Sequence, residues 1–317
     1  MKKILCAVLA LAAMTSCSKE YTITESQQAI AFGEVFVDNG TRADYSDGDN
    51  EVDEFLVWGT LTGSGNTVQI FDGDKVKNTN GTTTVGYGDV WYCNNIQYWV
   101  PNASYAFTAI VDGEFAKDDE DNYVYTEIPF TVTDGDGDLL YATATATTNG
   151  NGTPNVALVA FTFDHLLSKL QFTITNQMQG NYNIQVTSIT VGGVTDKGVY
   201  AVNGGTWAKA TDAATVATPL TFGTTNVIAS NGSAVASETR QILPVNQALA
   251  VTIAYDIYYG GTKISNATKS GTIPAQDYAK ETVYNITAAI SANQIQFTVN
   301  SVDGWKTPAV NAPLQNN

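Results

Sequence analysis

Apolar and polar residues alternate along much of this chain, which is the pattern of β-strands with one face on a core and the other in water. The longest series consists of Leu249, Val251, Ile253, Tyr255, Ile257 and Tyr259. Shorter series run over 170–175 and 295–299, and further strands are predicted at 55–61, 68–71, 90–100, 105–111, 123–132 and 186–191. The sequence contains no amphipathic pattern long enough for three helical turns.

Turn-forming clusters separate these predicted strands. They are Asp72-Gly73-Asp74, Asn80-Gly81, Asn203-Gly204-Gly205 and Gly260-Gly261. Many short strands joined by frequent turns predict an all-β protein built from antiparallel sandwiches. The run 147–155 is short of apolar residues, and its Gly and Pro residues disfavour a continuous strand. We therefore predict a boundary there between two β-sandwich domains, 43–150 and 151–317.

The N-terminus has the pattern of an export signal. Lys2 and Lys3 precede an apolar run over 4–14, and Thr15-Ser16-Cys17 follows. The run is shorter than the roughly 20 residues of a membrane-spanning helix, and its charged start and small-residue end are typical of a secretory signal. Cys17 directly after small residues also resembles a bacterial lipobox, although Met14 stands where Leu is usual. We predict a lipoprotein signal peptide at 1–17 with lipidation at Cys17; an ordinary signal peptide is the alternative.

The sequence has three cysteines, and their positions decide whether the mature chain can form a disulfide. Cys6 lies in the signal peptide and Cys17 carries the lipid, so Cys93 alone remains and the mature chain forms no intramolecular disulfide. Cys93 stands among large apolar residues and is predicted to be a small buried hydrophobe rather than a nucleophile.

The charge balance argues against nucleic-acid binding. The chain has 31 Asp and Glu against 15 Lys and Arg, a net charge of −16, which argues against nucleic acid because phosphate binding needs clustered basic residues.

Asp134, Asp136 and Asp138 suggest calcium, but an EF-hand loop would need Glu where Thr145 stands, so a solvated hairpin tip is favoured. The acidic runs at 44–54 and 118–121 are predicted to be solvated loops. No metal or cofactor is predicted.

No catalytic constellation is present in the sequence. His165 is the single histidine, and no Gly-x-Ser-x-Gly motif accompanies it, so it is predicted to be a packed or hydrogen-bonded structural residue. The 16 Tyr and 5 Trp residues suit either sugar stacking or sandwich cores, and the pattern does not separate the two. The sequence predicts a protein that is not an enzyme.

Several segments of the sequence, taken together, resemble a known protein family. They are the start ending at Cys17, the strand 29–37, Thr41-Arg42-Ala43, the blocks 138–142 and 159–174, and the end 295–305. In this order they resemble the fimbrillin (Mfa-like) family of Bacteroidales surface proteins, the subunits of type V pili. The resemblance implies two transthyretin-like antiparallel β-sandwich domains, a precursor lipid-anchored in the outer membrane, and a structural role in the fimbrium.

The resemblance also implies how the subunit assembles. In that family an Arg-directed protease removes the N-terminal strand, and a strand from the next subunit fills the gap. Arg42 matches the cleavage position, so 18–42 is the expected propeptide strand and Arg42–Ala43 the expected scissile bond. The implied partners are other fimbrial subunits, bound by β-strand complementation, with host or bacterial surface ligands as further partners. Such a cleavage site favours a shaft or tip subunit over an anchor.

Physical chemistry supports this scheme from the residues themselves. Ile30, Phe32 and Phe36 share one side of the strand 29–37, interrupted by Glu34. Burying several such groups contributes on the order of 10 kcal/mol, comparable with the whole stability of a domain. A chain that lost this strand would expose a groove that another strand can fill. The alternative function is a lipid-anchored glycan-binding protein of the outer surface, which keeps 18–42 and binds polysaccharide through Tyr and Trp.

Overall fold

The computed structural model describes residues 28–37, 52–78, 91–132, 137–220 and 227–302, and these ranges form twenty β-strands. In chain order they are β1 (Phe32–Val37), β2 (Glu54–Gly63), β3 (Asn66–Asn78), β4 (Trp91–Cys93), β5 (Ser104–Val111), β6 (Ala116–Lys117), β7 (Tyr123–Val124), β8 (Glu127–Thr131), β9 (Leu140–Thr147), β10 (Val159–His165), β11 (Ser168–Asn176), β12 (Tyr182–Thr195), β13 (Lys197–Ala201), β14 (Thr206–Lys209), β15 (Thr215–Leu220), β16 (Val235–Ile242), β17 (Val245–Tyr259), β18 (Thr262–Tyr278), β19 (Thr282–Ile290) and β20 (Ile295–Val302). The described ranges contain no α-helix, and hence none of a length and hydropathy that would cross a bilayer. The all-β prediction is confirmed.

The described residues divide into two compact units that interleave along the chain. The first contains 28–36, 52–78, 91–111 and 142–163, and the second contains the remainder. The run 147–155, predicted as a domain boundary, joins β9 to β10 through a hydrogen-bonded turn in which Asn149 N donates to Thr153 O. Residues on both sides of this turn belong to the first unit. The division into domains 43–150 and 151–317 stays a prediction.

The first unit is built on one sheet that closes on itself. Its strand order is β1-β10-β9-β5-β2-β3-β4, and β1 pairs again with β4. Alternate residues of these strands point inward, where large aromatic side chains fill the enclosed space. The buried aromatic residues of this unit include Phe32, Phe55, Phe71, Trp91, Trp99, Tyr105, Phe107, Phe161 and Phe163.

The second unit contains two four-stranded sheets, in the orders β16-β11-β19-β20 and β15-β12-β17-β18. Both contribute to one core that includes Leu170, Phe172, Ile174, Ile253, Tyr255, Ile286 and Ala288. The alternation predicted at 170–175 is confirmed, because Leu170, Phe172 and Ile174 have no exposed surface. A three-stranded sheet, β14-β13-β8, and the β6–β7 pair complete this unit.

One strand pair departs from the antiparallel prediction. β11 and β19 lie parallel, with Ser168 opposite Thr282 and Asn176 opposite Ile290. Between these two strands the chain contributes all four strands of the facing sheet before it returns. A parallel pair needs such a long crossover connection, whereas a hairpin turn produces an antiparallel pair.

Two local predictions are wrong. The predicted turn Asp72-Gly73-Asp74 lies within β3 as a β-bulge: Val57 pairs with Asp74 and Trp58 with Asp72, and Gly73 adopts φ +76° between them. The predicted strand 90–100 has only the three residues of β4 in regular pairing, followed by an irregular stretch with one bridge at Tyr98. Asn80-Gly81, also predicted as a turn, lies outside the described residues.

Candidate functional site

The strand β1 closes the sheet of the first unit by lying between β4 and β10. Phe32 pairs with Trp91 of β4, and Ala29 makes an isolated bridge with Tyr98. On the other side, Val159 N of β10 donates a hydrogen bond of 2.9 Å to Ala31 O. The strand 29–37 is therefore an integral part of the sheet, hydrogen-bonded on both sides.

Phe32 is the side chain that anchors β1 in the core. It is 2% exposed, and its ring lies against the rings of Phe55, Phe71, Phe107 and Phe161 at centroid distances of 6.2, 5.4, 6.2 and 6.0 Å. These four residues come from β2, β3, β5 and β10. Three of the contacts are edge-on, a geometry that adds about 0.5–1.5 kcal/mol per aromatic pair beyond area burial.

The four phenylalanine rings around Phe32 form an aromatic pocket. One wall of this pocket depends on Gly59 in β2. A Cβ at Gly59 would lie 2.9 Å from ring carbons of both Phe71 and Phe107. Those rings pack directly on the glycine backbone, and their position leaves the space that Phe32 fills. The absence of a side chain at residue 59 is therefore part of the pocket.

The buried side of β1 changes along the strand. Ile30 and Phe32 are buried, as predicted, and so are Gly33, Val35 and Val37, which interrupt simple alternation. The side chains of Glu34 and Phe36 lie outside what the structure describes. Removing Ile30, Phe32 and Val35 from the core would forfeit roughly 5–9 kcal/mol, at about 1.5–3 kcal/mol for each. Since a whole domain is stable by about 5–15 kcal/mol, the first unit depends on β1.

A side-chain network fixes the stretch of chain that pairs with the start of β1. Asn95 Nδ2 donates to Ile70 O at 3.0 Å and to Asp74 Oδ2 at 2.9 Å, and Asn95 Oδ1 accepts from Gln97 Nε2 at 2.6 Å. Gln97 O in turn accepts the backbone N–H of Ile30 at 2.8 Å. The irregular stretch after β4 is held by β3, independently of β1.

The predicted modification sites lie outside the described residues. These are the lipidation site Cys17 and the cleavage pair Arg42 and Ala43. The sequence has one other arginine, Arg240, which lies in β16 opposite Leu170 of β11. Its side chain is 17% exposed and lies 3.2 Å from Glu238.

The acidic clusters contain no group of metal-ligating residues among the described residues. Asp118 Oδ1 accepts the backbone N–H groups of Glu120 and Asn122, which lowers the pKa of Asp118 and shows that this carboxylate stabilises its own turn. Glu54 lies 2.5 Å from Lys75 and 2.8 Å from Lys77. Asp134, Asp136 and most of the acidic run 44–54 lie outside the described residues.

His165 and Cys93 occupy structural positions. His165 is 1% exposed, and its Nδ1 lies 2.8 Å from Oδ2 of Asp138. This is the packed, structural histidine that the sequence predicts. Cys93 is half-buried rather than buried, which corrects the prediction; because burial raises the pKa of its thiol, it remains a weak nucleophile.

The aromatic residues divide between core and surface. Trp58, Trp91 and Trp99 are buried, and Trp207 Nε1 donates to Leu166 O at 2.7 Å. Among the residues that the structure describes, the exposed aromatic side chains are tyrosines: Tyr92, Tyr98, Tyr125, Tyr182 and Tyr259. Among these, Tyr182 and Tyr259 form a cross-strand pair with ring centroids 5.2 Å apart.

Solved structures share this fold. A fimbrial protein from Bacteroides vulgatus ATCC 8482 matches with a TM-score of 0.63 at 20% identity, covering 87% of this chain and 99% of its own. A candidate cell adhesion protein from Bacteroides ovatus ATCC 8483 matches with a TM-score of 0.57 at 14% identity, covering 89% and 99%. Identities this low show a common fold alone. The comparison with curated proteins finds no match.

The family comparison covers most of the sequence. The family described as fimbrillin-like matches residues 41–305, which includes both compact units apart from β1 and the N-terminal segment. The match begins one residue before Arg42, so the strand that completes the first unit lies outside it. The chain belongs to the fimbrillin-like family.

Proposed function

We propose that this protein is a structural subunit, shaft or tip, of a surface fimbria, and that it assembles by strand exchange. It is exported as a lipoprotein precursor, lipidated at Cys17, and held at the outer membrane until cleavage between Arg42 and Ala43. Cleavage separates β1 from the rest of the chain. A strand of another fimbrial subunit then takes the place of β1.

One observation carries this proposal: β1 closes the sheet and buries Phe32, yet it precedes the predicted cleavage site in the chain. A unit deprived of β1 exposes an aromatic pocket and two strand edges, β4 and β10, with unpaired backbone groups. Such edges readily accept an added strand. The exposed groove supplies the driving force for assembly, and no catalytic group is required.

Digestion of the purified precursor with an Arg-specific protease tests the proposal. We expect a new N-terminus at Ala43 and, with partner subunits present, ladders that resist SDS and dissociate on heating. The Arg42→Lys variant, which that protease does not cut at position 42, is the matched control and should stay monomeric. Complete cleavage that yields only monomer in the presence of partner subunits would contradict strand exchange.

The second candidate function is glycan binding by a lipid-anchored surface protein. The observation that favours it is the exposed pair Tyr182 and Tyr259, 38% and 53% exposed, because adjacent aromatic rings can stack on sugar rings. This function predicts that residues 18–42 remain attached and that polysaccharide binding is saturable. Tyr259→Ala should abolish that binding, whereas Tyr125→Ala, which is remote from Tyr182 in sequence, should not. An acylated Cys17 at the N-terminus of surface-extracted protein would favour this candidate or an anchor role.

A further inference from the structure

We propose that the groove left by β1 selects its incoming strand at two adjacent positions: an aromatic ring where Phe32 lies and a glycine where Gly33 lies. This inference rests on the proposed strand exchange and adds the chemistry of the strand that is accepted. It is derived from the contacts that β1 makes in the uncleaved chain.

The first position is set by the four phenylalanine rings around Phe32. Rings from β2, β3, β5 and β10 approach it to centroid distances between 5.4 and 6.2 Å. The pocket is therefore enclosed on several sides by flat, rigid groups. A smaller aliphatic side chain would leave part of this volume empty, since the surrounding structure relaxes only partially into a cavity.

The second position is set by Leu158, the residue that precedes β10. A Cβ at Gly33 would lie 2.6 Å from Leu158 Cδ1, 3.4 Å from its Cγ and 3.5 Å from its Cβ. Leu158 is 41% exposed, so it covers the backbone of β1 from the surface. The end of this exposed, flexible side chain can rotate away from a single methyl group at position 33 at low cost, so the selection acts mainly against β-branched side chains, which carry more atoms toward Leu158.

Backbone hydrogen bonds fix the register between these two positions and the groove. Trp99 N donates to Gln28 O at 3.1 Å, Ile30 N donates to Gln97 O at 2.8 Å, and Val159 N donates to Ala31 O at 2.9 Å. An incoming strand that meets Trp99 N, Gln97 O and Val159 N is held in one register. A slip by one residue would turn its aromatic side chain to the opposite face.

The chain itself supplies sequences that separate the two requirements. Residues 30–35 read Ile-Ala-Phe-Gly-Glu-Val, and residues 85–90 read Val-Gly-Tyr-Gly-Asp-Val, which matches them class by class. Residues 295–300 read Ile-Gln-Phe-Thr-Val-Asn, with the aromatic residue in place but Thr298 instead of glycine. Synthetic peptides of these stretches therefore test the rule with sequences that each differ from 30–35 at four of six positions.

The experiment measures exchange of a fluorescent 28–37 peptide into the Arg-cleaved full-length protein by anisotropy, with unlabelled peptides as competitors. We expect the Tyr87→Phe variant of the peptide 83–92 to compete within about tenfold of 28–37, because it satisfies both requirements without burying a hydroxyl among phenylalanine rings. The Phe32→Ala peptide should be at least 100-fold weaker, since truncating a buried Phe is among the most damaging core changes. The Gln28→Ala peptide is the control and should match the parent, because the side chain of Gln28 is exposed.

The glycine requirement is tested by comparing two peptides on the parent protein and on a Leu158→Ala variant. The peptide 293–302 should compete at least tenfold more weakly than its Thr298→Gly variant against the parent protein. In a Leu158→Ala protein that difference should largely disappear, because the side chain that excludes a β-branched residue is gone. Leu158 is a surface residue, so the variant is expected to fold.

Two outcomes would overturn the proposal, and they are distinguishable. If the Phe32→Ala peptide competes as well as 28–37, or the peptide 293–302 as well as its Thr298→Gly variant, the groove accepts strands without this selection, and strand exchange itself stands. If no peptide exchanges into fully cleaved protein, not even 28–37, then the groove does not accept strands and the proposed function fails with it.

Discussion

Phe32 stacks on Phe161, with ring centroids 6.0 Å apart and ring planes inclined by 22°. This contact links β1 to β10, while the pairing of Phe32 with Trp91 links β1 to β4. One residue therefore closes the sheet through both its side chain and its backbone. The first unit owes its closure to a strand that precedes the predicted cleavage site.

Phe32→Ala in the uncleaved protein is expected to lower the free energy of unfolding of the first unit by about 3–5 kcal/mol, because it empties a pocket lined by four rings. Urea unfolding followed by the fluorescence of Trp58, Trp91 and Trp99 measures this loss. Gln28→Ala, at an exposed position of the same segment, should change stability by less than about 0.5 kcal/mol. Equal stability of the two variants would show that β1 does not hold the unit together.

Gly59→Ala is expected to destabilise the protein by about 1–3 kcal/mol, because its new Cβ would overlap the rings of Phe71 and Phe107. Gly63 lies in the same strand, and a Cβ there would meet its nearest atoms at ordinary contact distances of 3.7–3.8 Å. Gly63→Ala is thus the matched control and should be neutral or slightly stabilising. Thermal unfolding of both variants checks the prediction, and a neutral Gly59→Ala would refute the role given to the glycine.

The folded protein is expected to yield a single cut with an Arg-specific protease, at Arg42. Proteolysis of a paired strand requires local opening, and Arg240 is held in β16 against β11 with its side chain mostly buried. Intact mass and N-terminal sequencing of the products measure this. After denaturation a second N-terminus, at Gln241, should appear. Its appearance at the same rate in the native protein would show that β16 opens freely.

Alkaline pH is expected to destabilise the second unit partly through Tyr255. This side chain is 1% exposed, and burial raises its pKa above the ordinary value of about 10. Above pH 10 the unfolded state loses the phenolic proton while the folded state retains it. The folded state then binds more protons, so stability is full below pH 10 and falls as pH rises.

Tyr255→Phe tests this assignment because it removes the titrating group and keeps the ring. Between pH 9 and 11 the variant should lose less stability than the parent in urea unfolding. Tyr259→Phe, at a position 53% exposed in the same strand, is the control and should follow the parent. Identical pH slopes for the parent and Tyr255→Phe would assign the alkaline sensitivity to other groups.

Much of the strand content could be predicted because alternation was strong where one face is buried and the other is polar. Leu249, Val251, Ile253 and Tyr255 are buried in β17 as their spacing predicts. β9 was not predicted. Its inward residues include Ala142 and Ala146, and alanine differs too little from threonine in hydrophobicity for the alternation to be clear. β18 escaped because its first half has no buried residue; it is held by pairing with β17.

The candidate site was predictable only in part. The apolar content of 29–37 pointed to a buried strand, whereas the cleavage site at Arg42 is implied by the family resemblance and stays a prediction. The pocket around Phe32 was not predictable, because its walls come from β2, β3, β5 and β10, and period-two patterns define faces rather than neighbours. Gly59 and Leu158 likewise gain their roles only from distances across the sheet.

The parallel pairing of β11 with β19 governs when the second unit can fold. These are the middle strands of their sheet: β11 can pair early with β16, but its other edge stays open until β19 is available. Joining residues so far apart carries a large entropic penalty from closing the intervening loop, which makes such folds slow. An exported chain would therefore keep one edge of β11 unpaired until residues 282–290 have also left the export machinery. The exported chain should therefore need a holding chaperone until it folds.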